Sequence, residues 1–221
     1  MYHQRSEQAQ AIFPSVEIST GGLCLAPVKA AELAQLAAMV TAEDFSGPES
    51  MLGGWHDPRD PVGSAAKLLE LHQAPKANYF ELRVPLGVYA DSALIGAATL
   101  HVWSIDRRVG ETSSFLAPSF RGQGYGQLLR RALLVAAFGS LGVMAVRSVA
   151  RSDNAASLAI TEKLGYHTTD RGQLLVAGTL SEVREDWLMA KDFFERGLDA
   201  GVAVSGLSDW AAAVGWGTQL G

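Results

Sequence analysis

The stretch Phe115-Leu-Ala-Pro-Ser-Phe-Arg-Gly-Gln-Gly-Tyr-Gly126 decides how this chain folds. Val109 to Leu116 reads as a strand, ended by Ala117-Pro118 because proline has no N–H to give to a ladder. The turn Arg121-Gly-Gln-Gly-Tyr-Gly126 follows, and Tyr125, Leu128, Leu129, Ala132, Leu133 and Ala136 then recur at helical spacing. Physically this is an anion site. The first turn of a helix leaves N–H groups unbonded and carries a partial positive charge, and glycines at 122, 124 and 126 let a phosphate approach the main chain. Arg121 adds a permanent charge at the mouth. A glycine-rich turn can equally serve only to reverse the chain, and its spacing alone does not separate the two readings.

Working outward, Tyr79–Ala90 and Ala93–Trp103 are strand-like runs separated by Asp91-Ser92, which predicts a hairpin. Earlier still, Leu23 to Pro27 reads as a first strand, and Lys29 to Val40, with Leu33, Leu36, Ala37 and Val40 on one face, as a first helix. Gly47 to Pro61 is turn-rich, and Ala65 to His72 reads as a second helix. Downstream, Gly139 and Gly142 close the long helix, and the apolar run Val143 to Val149 fits a buried parallel neighbour of the preceding strand. Asp153 or Asn154 can cap the next helix, with Leu158 and Leu164 inward and Gly165 at its stop; Glu182 to Ala190 reads as the last strand.

These elements suggest a leader over 1–21, a domain over 22–194 and a tail over 195–221. The tail carries apolar anchors, including Trp210 and Trp216, and is either a packing strap or the contact of a homodimer. At 221 residues and 48% hydrophobic content, one substantial core is expected. Eighteen Lys and Arg against 23 Asp and Glu, a net charge of -5, argue against a nucleic-acid partner. Cys24 is the one cysteine, which excludes an intramolecular disulfide and a thiolate metal cluster, and no metal site is expected. The polar N-terminus lacks a signal core, and no run reaches the roughly 20 apolar residues of a membrane span. A cytoplasmic protein without membrane association is the expectation.

The turn and its flanks resemble the GNAT superfamily of N-acetyltransferases, whose motif is Arg or Gln, two residues, Gly, one residue, Gly or Ala. Phe115 to Gly126 is most similar to the branch containing ribosomal-protein N-terminal acetyltransferases, and Asn154-Ala-Ala-Ser157 through Lys163-Leu-Gly-Tyr166 resembles that branch's Asn-x-x-Ser helix with its closing Lys-Leu-Gly-aromatic step. The resemblance implies an α/β GNAT fold, a mixed, mostly antiparallel sheet splayed in the middle and flanked by helices. It also implies acetyl-CoA, or another acyl-CoA, as co-substrate. Its pantetheine arm would bond to the main chain of Phe115, Leu116 and Ala117, and its pyrophosphate to the amides of Gln123, Gly124, Tyr125 and Gly126 beside Arg121 and Gly122.

The implied reaction is direct attack of a primary amine on the thioester, the acceptor being a protein N-terminus or a small molecule. Ser157 is the candidate donor to the leaving thiolate, since the tyrosine many GNAT enzymes carry four residues later is here Thr161. Asn154 either binds the cofactor or only caps its helix. Glu111, on the same strand face as Ser113 and Phe115, is the candidate general base, and its alternative is a solvated carboxylate. His101 on the neighbouring strand is the second candidate base, suited by its near-neutral titration to shuttling a proton, and a candidate substrate contact; its alternative is a structural histidine. Trp55 and His56 fall in a loop that shapes the acceptor pocket in this fold. An aminoacyl-tRNA donor would need a basic groove that the charge gives no reason to expect, and a non-catalytic acyl-CoA sensor would tolerate loss of both Ser157 and Glu111.

Overall fold

The computed structural model describes residues 12–39, 76–77, 81–104, 108–176 and 179–216. The helix expected at 65–72, and Trp55 and His56, lie outside the described residues. The fold grows from a central hairpin, β4 (Leu82–Ala90) and β5 (Ala93–Ser104). β4 is buried at almost every position, as a near-continuous apolar run requires. Asp91 and Ser92 both take positive φ, 47° and 66°, the pair of values that matches the twist of a two-residue hairpin turn. Pro85 lies between the stretches of β4 paired to β3 (Lys76–Ala77) and to β2 (Leu23–Ala26), where among the described residues no second strand pairs with it and its missing N–H leaves no gap in a ladder.

The sheet continues through β6 (Val109–Leu116), β7 (Ala145–Arg151), β8 (His167–Val176) and β9 (Thr179–Met189), and on the other side through β1 (Glu17–Thr20) and β10 (Val202–Ser205). The strand order is β10-β1-β2-β4-β5-β6-β7-β9-β8. All neighbours are antiparallel except β6 and β7. Helices α1 (Leu33–Met39), α2 (Tyr125–Val135), α3 (Ala155–Leu164), α4 (Ala190–Glu195) and α5 (Leu207–Ala213) flank it. The main core buries Leu129 and Leu133 of α2, Leu164 of α3, and Val146 and Leu188 of the sheet. On the opposite face, Leu36 of α1 closes a smaller cluster with Tyr89, Leu94, Ala97 and Phe115. Neighbouring Phe115 and Leu116 belong to the two different clusters, as strand alternation demands.

Three differences from the sequence expectation have physical causes. The segments expected as leader and tail join the domain: β1 pairs with β2 and β10, while Trp210 is 1% exposed with its ring 5.3 Å from that of Phe13. Trp216 Nε1 donates to Leu141 O at 3.0 Å, so the tail packs on the domain across the boundary expected at 194. β7 begins at Ala145 because Val143 N–H is bonded to Ala137 O at the end of the preceding helix. β8, absent from the sequence expectation, is an edge strand whose polar residues hide the alternation that a half-buried strand shows.

Candidate active site

The parallel pairing of β6 with β7 covers only Val109 with Ala145, Gly110 with Val146 and Glu111 with Arg147. Beyond Glu111 the strands separate, β6 staying with β5 up to Leu116 and β7 with β9 up to Arg151. Two facing strand edges therefore present main-chain polar groups to a wedge-shaped gap, and such groups need partners. β6 then leads into α2 and β7 into α3, so both helix N-termini lie beyond the open end.

The glycines of the turn serve two purposes. Gly122 has φ +74° and Gly124, the N-cap of α2, φ +88°, and a Cβ added at either meets nothing within 4 Å. Both need the left-handed conformation and both leave open space. The first intrahelical bonds run from Gln127 N and Leu128 N to Gly124 O, so the amides of Tyr125 and Gly126 precede the ladder and remain available to an anion. Gly126 differs: a Cβ there would stand 3.1 Å from Ile160 Cδ1, so this glycine lets α2 approach α3 rather than opening the turn to a phosphate. Arg121 Nε donates to Leu116 O at 2.9 Å and Gln123 Nε2 to Ser119 O at 2.7 Å, which ties the turn to the end of β6.

Ala117 is tied into the protein on both sides. Its N–H donates to Ile95 O at 2.8 Å and its carbonyl accepts from Phe120 N at 2.9 Å, so both its main-chain groups are engaged within the protein. The donation reaches a bulge, where Val88 faces Gly96 and Tyr89 faces Leu94, leaving Ile95 extra. Gly96 is required there, because a Cβ would lie 2.2 Å from Phe115 O. The edge left to the gap is the part of β6 beyond Glu111, from Thr112 toward Leu116, whose carbonyl Arg121 already engages. An extended amide-bearing arm fits the gap and a pyrophosphate fits the Gly122–Gly126 turn, on the open space at Gly122 and Gly124 and the free first-turn amides.

On α3, Asn154 Oδ1 accepts from Ser157 N at 3.1 Å, which makes Asn154 the N-cap. Ser157 is half-buried in the first turn. Thr161 is fully buried, its hydroxyl donating to Leu158 O at 2.8 Å and accepting from Arg184 Nη2 at 3.0 Å. Arg184 also donates to Glu162 at 3.0 Å and to the buried Asp186 at 2.9 Å, whose other oxygen accepts from Thr168 at 2.7 Å. Thr161 thus belongs to the network docking α3 on β8 and β9. Beneath α2, Arg130 is 8% exposed and donates to Ser148 Oγ at 3.2 Å, with the buried Tyr166 hydroxyl beside Arg130 and Thr112.

Glu111 stands at the last paired position before the strands part. Arg147 donates to its Oε2 through Nη2 at 2.9 Å and Nε at 3.2 Å, and through Nη1 to Glu185 Oε2 at 3.3 Å. Trp187 Nε1 donates to Glu185 Oε1 at 2.8 Å, and the Arg147 guanidinium lies 4.9 Å above the Trp103 ring. Both contacts to Glu111 fall on one oxygen, so Oε1 takes no part in the clamp. His101 is the cross-strand partner of Glu111, with Nε2 3.2 Å from Glu81 Oε1. Burial, aided by the Arg83 charge, holds its imidazole below the usual value, against the opposing pull of Glu81 and Glu111.

A cavity of about 350 Å³ opens beside this clamp, lined by Glu111, Arg147, Val149, Asp170, Gly172, Gln173, Leu174, Val183 and Glu185. A bulge in β8 shapes it: Thr168 faces Asp186 and Asp170 faces Glu185, so Thr169 is the extra residue and Asp170 takes its place on the cavity side. Sequence reasoning missed Arg147, Gly172 and Glu185. Arg147 had a visible signal, a lone charge within the apolar run 143–149, whereas Gly172 belongs to the strand that was not expected. Cys24 is half-buried, its thiol pushed up by burial and by Glu17, which disfavours a nucleophile. Among the described residues no three metal-ligating side chains converge, and no helix is long and apolar enough to cross a membrane.

Solved structures share this architecture. A spermidine N-acetyltransferase from Vibrio cholerae, in complex with CoA and spermine, matches with a TM-score of 0.64 at 17% identity, over 78% of this chain and 98% of its own. A dodecameric structure of spermidine N-acetyltransferase from the same organism matches with a TM-score of 0.61 at 18% identity, over 79% and 98%. A probable acetyltransferase matches with a TM-score of 0.59 at 18% identity, over 77% and 94%. At these identities the likeness is one of fold, and the sequence itself supplies the membership: residues 22–167 match the family described as acetyltransferase (GNAT) domain. The splayed pair of strands, the glycine turn and the Asn154 helix all lie within that match, and the chain belongs to the GNAT acetyltransferase family.

Proposed function

We propose that the protein transfers an acetyl group from acetyl-CoA to a primary amine by direct attack. The observation that carries this reading is the gap between β6 and β7 with the open Gly122–Gly124 turn beyond it. When bound, acetyl-CoA supplies an activated thioester, and the chain's residues do the rest. Gly122, Gly124 and the first-turn amides of α2 hold the diphosphate, with Arg121 contributing charge. The exposed edge of β6 from Thr112 to Leu116 holds the arm. Ser157, at the start of α3, donates a hydrogen bond toward the departing sulfur, and Glu111, through the oxygen that Arg147 leaves out of the clamp, accepts the proton of the amine.

Two acceptor classes follow from the likenesses. The motifs point to the ribosomal-protein branch and hence to protein N-terminal amines; spermidine enzymes share the fold and point to small cationic amines. A reducing cytoplasm suits the single thiol. The test is calorimetric titration with acetyl-CoA followed by thiol release against a panel of small amines and N-terminal peptides, repeated with Ser157→Ala and Glu111→Gln. Binding with amine-dependent release, and a fall in kcat of about 100-fold or more in either variant with the CoA affinity retained, supports the enzyme. Full acetyl-CoA binding without release for any amine sinks it and leaves a sensor.

A further inference from the structure

The cavity beside the clamp has a charged inner end and an apolar flank. Glu111, Arg147 and Glu185, bound to one another, close the inner end. The flank is built on cross-strand neighbours: Val149 faces Glu185 across β7 and β9, and Gly172 faces Val183 across β8 and β9, with Leu174 two residues further on. Strand alternation puts Asp170, Gly172 and Leu174 on the cavity face of β8. Between two residues with side chains, Gly172 contributes none.

That vacancy has no local backbone reason. Gly172 does not need the left-handed region, and a Cβ built on it meets nothing within 4 Å. A strand interior ordinarily disfavours glycine, which loses more entropy than other residues and packs nothing, and glycine persists there where a bulge, a bend or a closely approaching ligand calls for it. The β8 bulge lies at Thr169 and so does not account for it. Gly172 is exposed and lines the cavity, so a side chain here has room to project along its rim beside Leu174 and Val183.

We infer that Gly172 sets the size of the acceptor: the bare backbone at this position forms a trough that receives the aliphatic chain of a primary amine whose nitrogen reaches toward Glu111. The inference rests on the acyltransferase reading and names the substrate class, an amine on an extended alkyl chain. The carboxylates of Glu111 and Glu185 meet the ammonium end, which arrives protonated, and Val149, Val183 and the half-exposed Leu174 offer apolar contact to the methylenes. A chain several carbons long covers more of this apolar flank than a short one and is favoured for that reason.

The experiment compares wild type with Gly172→Leu and Gly172→Ala on methylamine, n-butylamine and n-hexylamine, following thiol release, with acetyl-CoA titration and thermal melting as controls. In wild type, kcat/KM is expected to rise from methylamine to n-hexylamine. Gly172→Leu should lower kcat/KM for n-hexylamine about tenfold or more, mainly through KM, with methylamine changed less than about twofold. Gly172→Ala should fall between. Acetyl-CoA affinity should stay unchanged in both variants, and each should fold, since the added atoms enter open space. A wild-type rate independent of chain length overturns the inference, as does an equal loss for short and long amines, or an unchanged profile in Gly172→Leu. Absence of thiol release by wild type with every amine would instead remove the acyltransferase reading beneath it.

Discussion

Alanine at Gly124 and alanine at Gly126 should fail in different ways, although two positions separate them in one motif. At Gly124 the backbone sits at φ +88°, where a side-chain-bearing residue costs roughly 1–2 kcal/mol. In a chain of this size each kilocalorie moves Tm by about 2–4 °C, so Gly124→Ala should melt about 2–8 °C lower. Its methyl also enters the open space that the first-turn amides face. Hydrogen bonds to charged groups contribute about 1.5–3 kcal/mol each, so losing one should raise the CoA Kd about tenfold or more. At Gly126 the conformation is ordinary, and alanine gains about 1 kcal/mol of helix propensity. Against that gain stands Ile160 Cδ1 at 3.1 Å from the new carbon. Ile160→Val deletes that methyl, so Gly126→Ala with Ile160→Val should be more stable than the two singles predict, by at least about 0.5 kcal/mol. CoA affinity should hold in both the single and the double variant. Denaturant melts and calorimetric titration of all four proteins read both quantities. A tenfold loss of CoA affinity in Gly126→Ala, with no coupling to Ile160, would refute the division of labour among these glycines.

Two further outcomes follow. Trp210→Ala should cost about 3–5 kcal/mol in chemical denaturation, because the ring is 1% exposed and packs against Phe13; a loss below about 1 kcal/mol would show that the tail does not belong to the core. His101 titrates near 6.5 in the unfolded chain and lower in the folded one, so the folded state binds fewer protons between those values. Its contribution is complete above 6.5 and is lost as pH falls toward the folded value, with Glu81, Arg83 and Glu111 as the charged neighbours. Tm followed from pH 8 to 5 should therefore decline less steeply in His101→Gln than in wild type, and equal slopes would contradict the depressed imidazole.

The hairpin, the strand ending at Leu116, the glycine turn and the Asn154 helix were legible because each is written in local chemistry. Positive φ at Asp91 and Ser92, the left-handed glycines 122, 124 and 165, and the Asn154 cap all act within a few residues. The candidate residues Glu111 and Ser157 follow from the resemblance of these stretches to the GNAT branch. Less legible were β1, β8 and β10, whose stability comes from neighbours distant in sequence rather than from their own pattern. β10 is paired to β1, at the far end of the chain, and a polar edge strand such as β8 shows little period.

What the amino-acid order by itself determined is the strand, turn and helix around residue 121 and, through them, the family, because caps, glycine conformations and hydrophobic period are short-range properties. Tertiary structure alone decided which glycine faces solvent and which faces Ile160, that Thr161 is spent on Arg184, and that Arg147 joins Glu111 to Glu185. The first two depend on how α2 and α3 pack on each other and on the sheet, and the third on strand register, where one residue of slip would send Glu111, Arg147 or Glu185 to the opposite face.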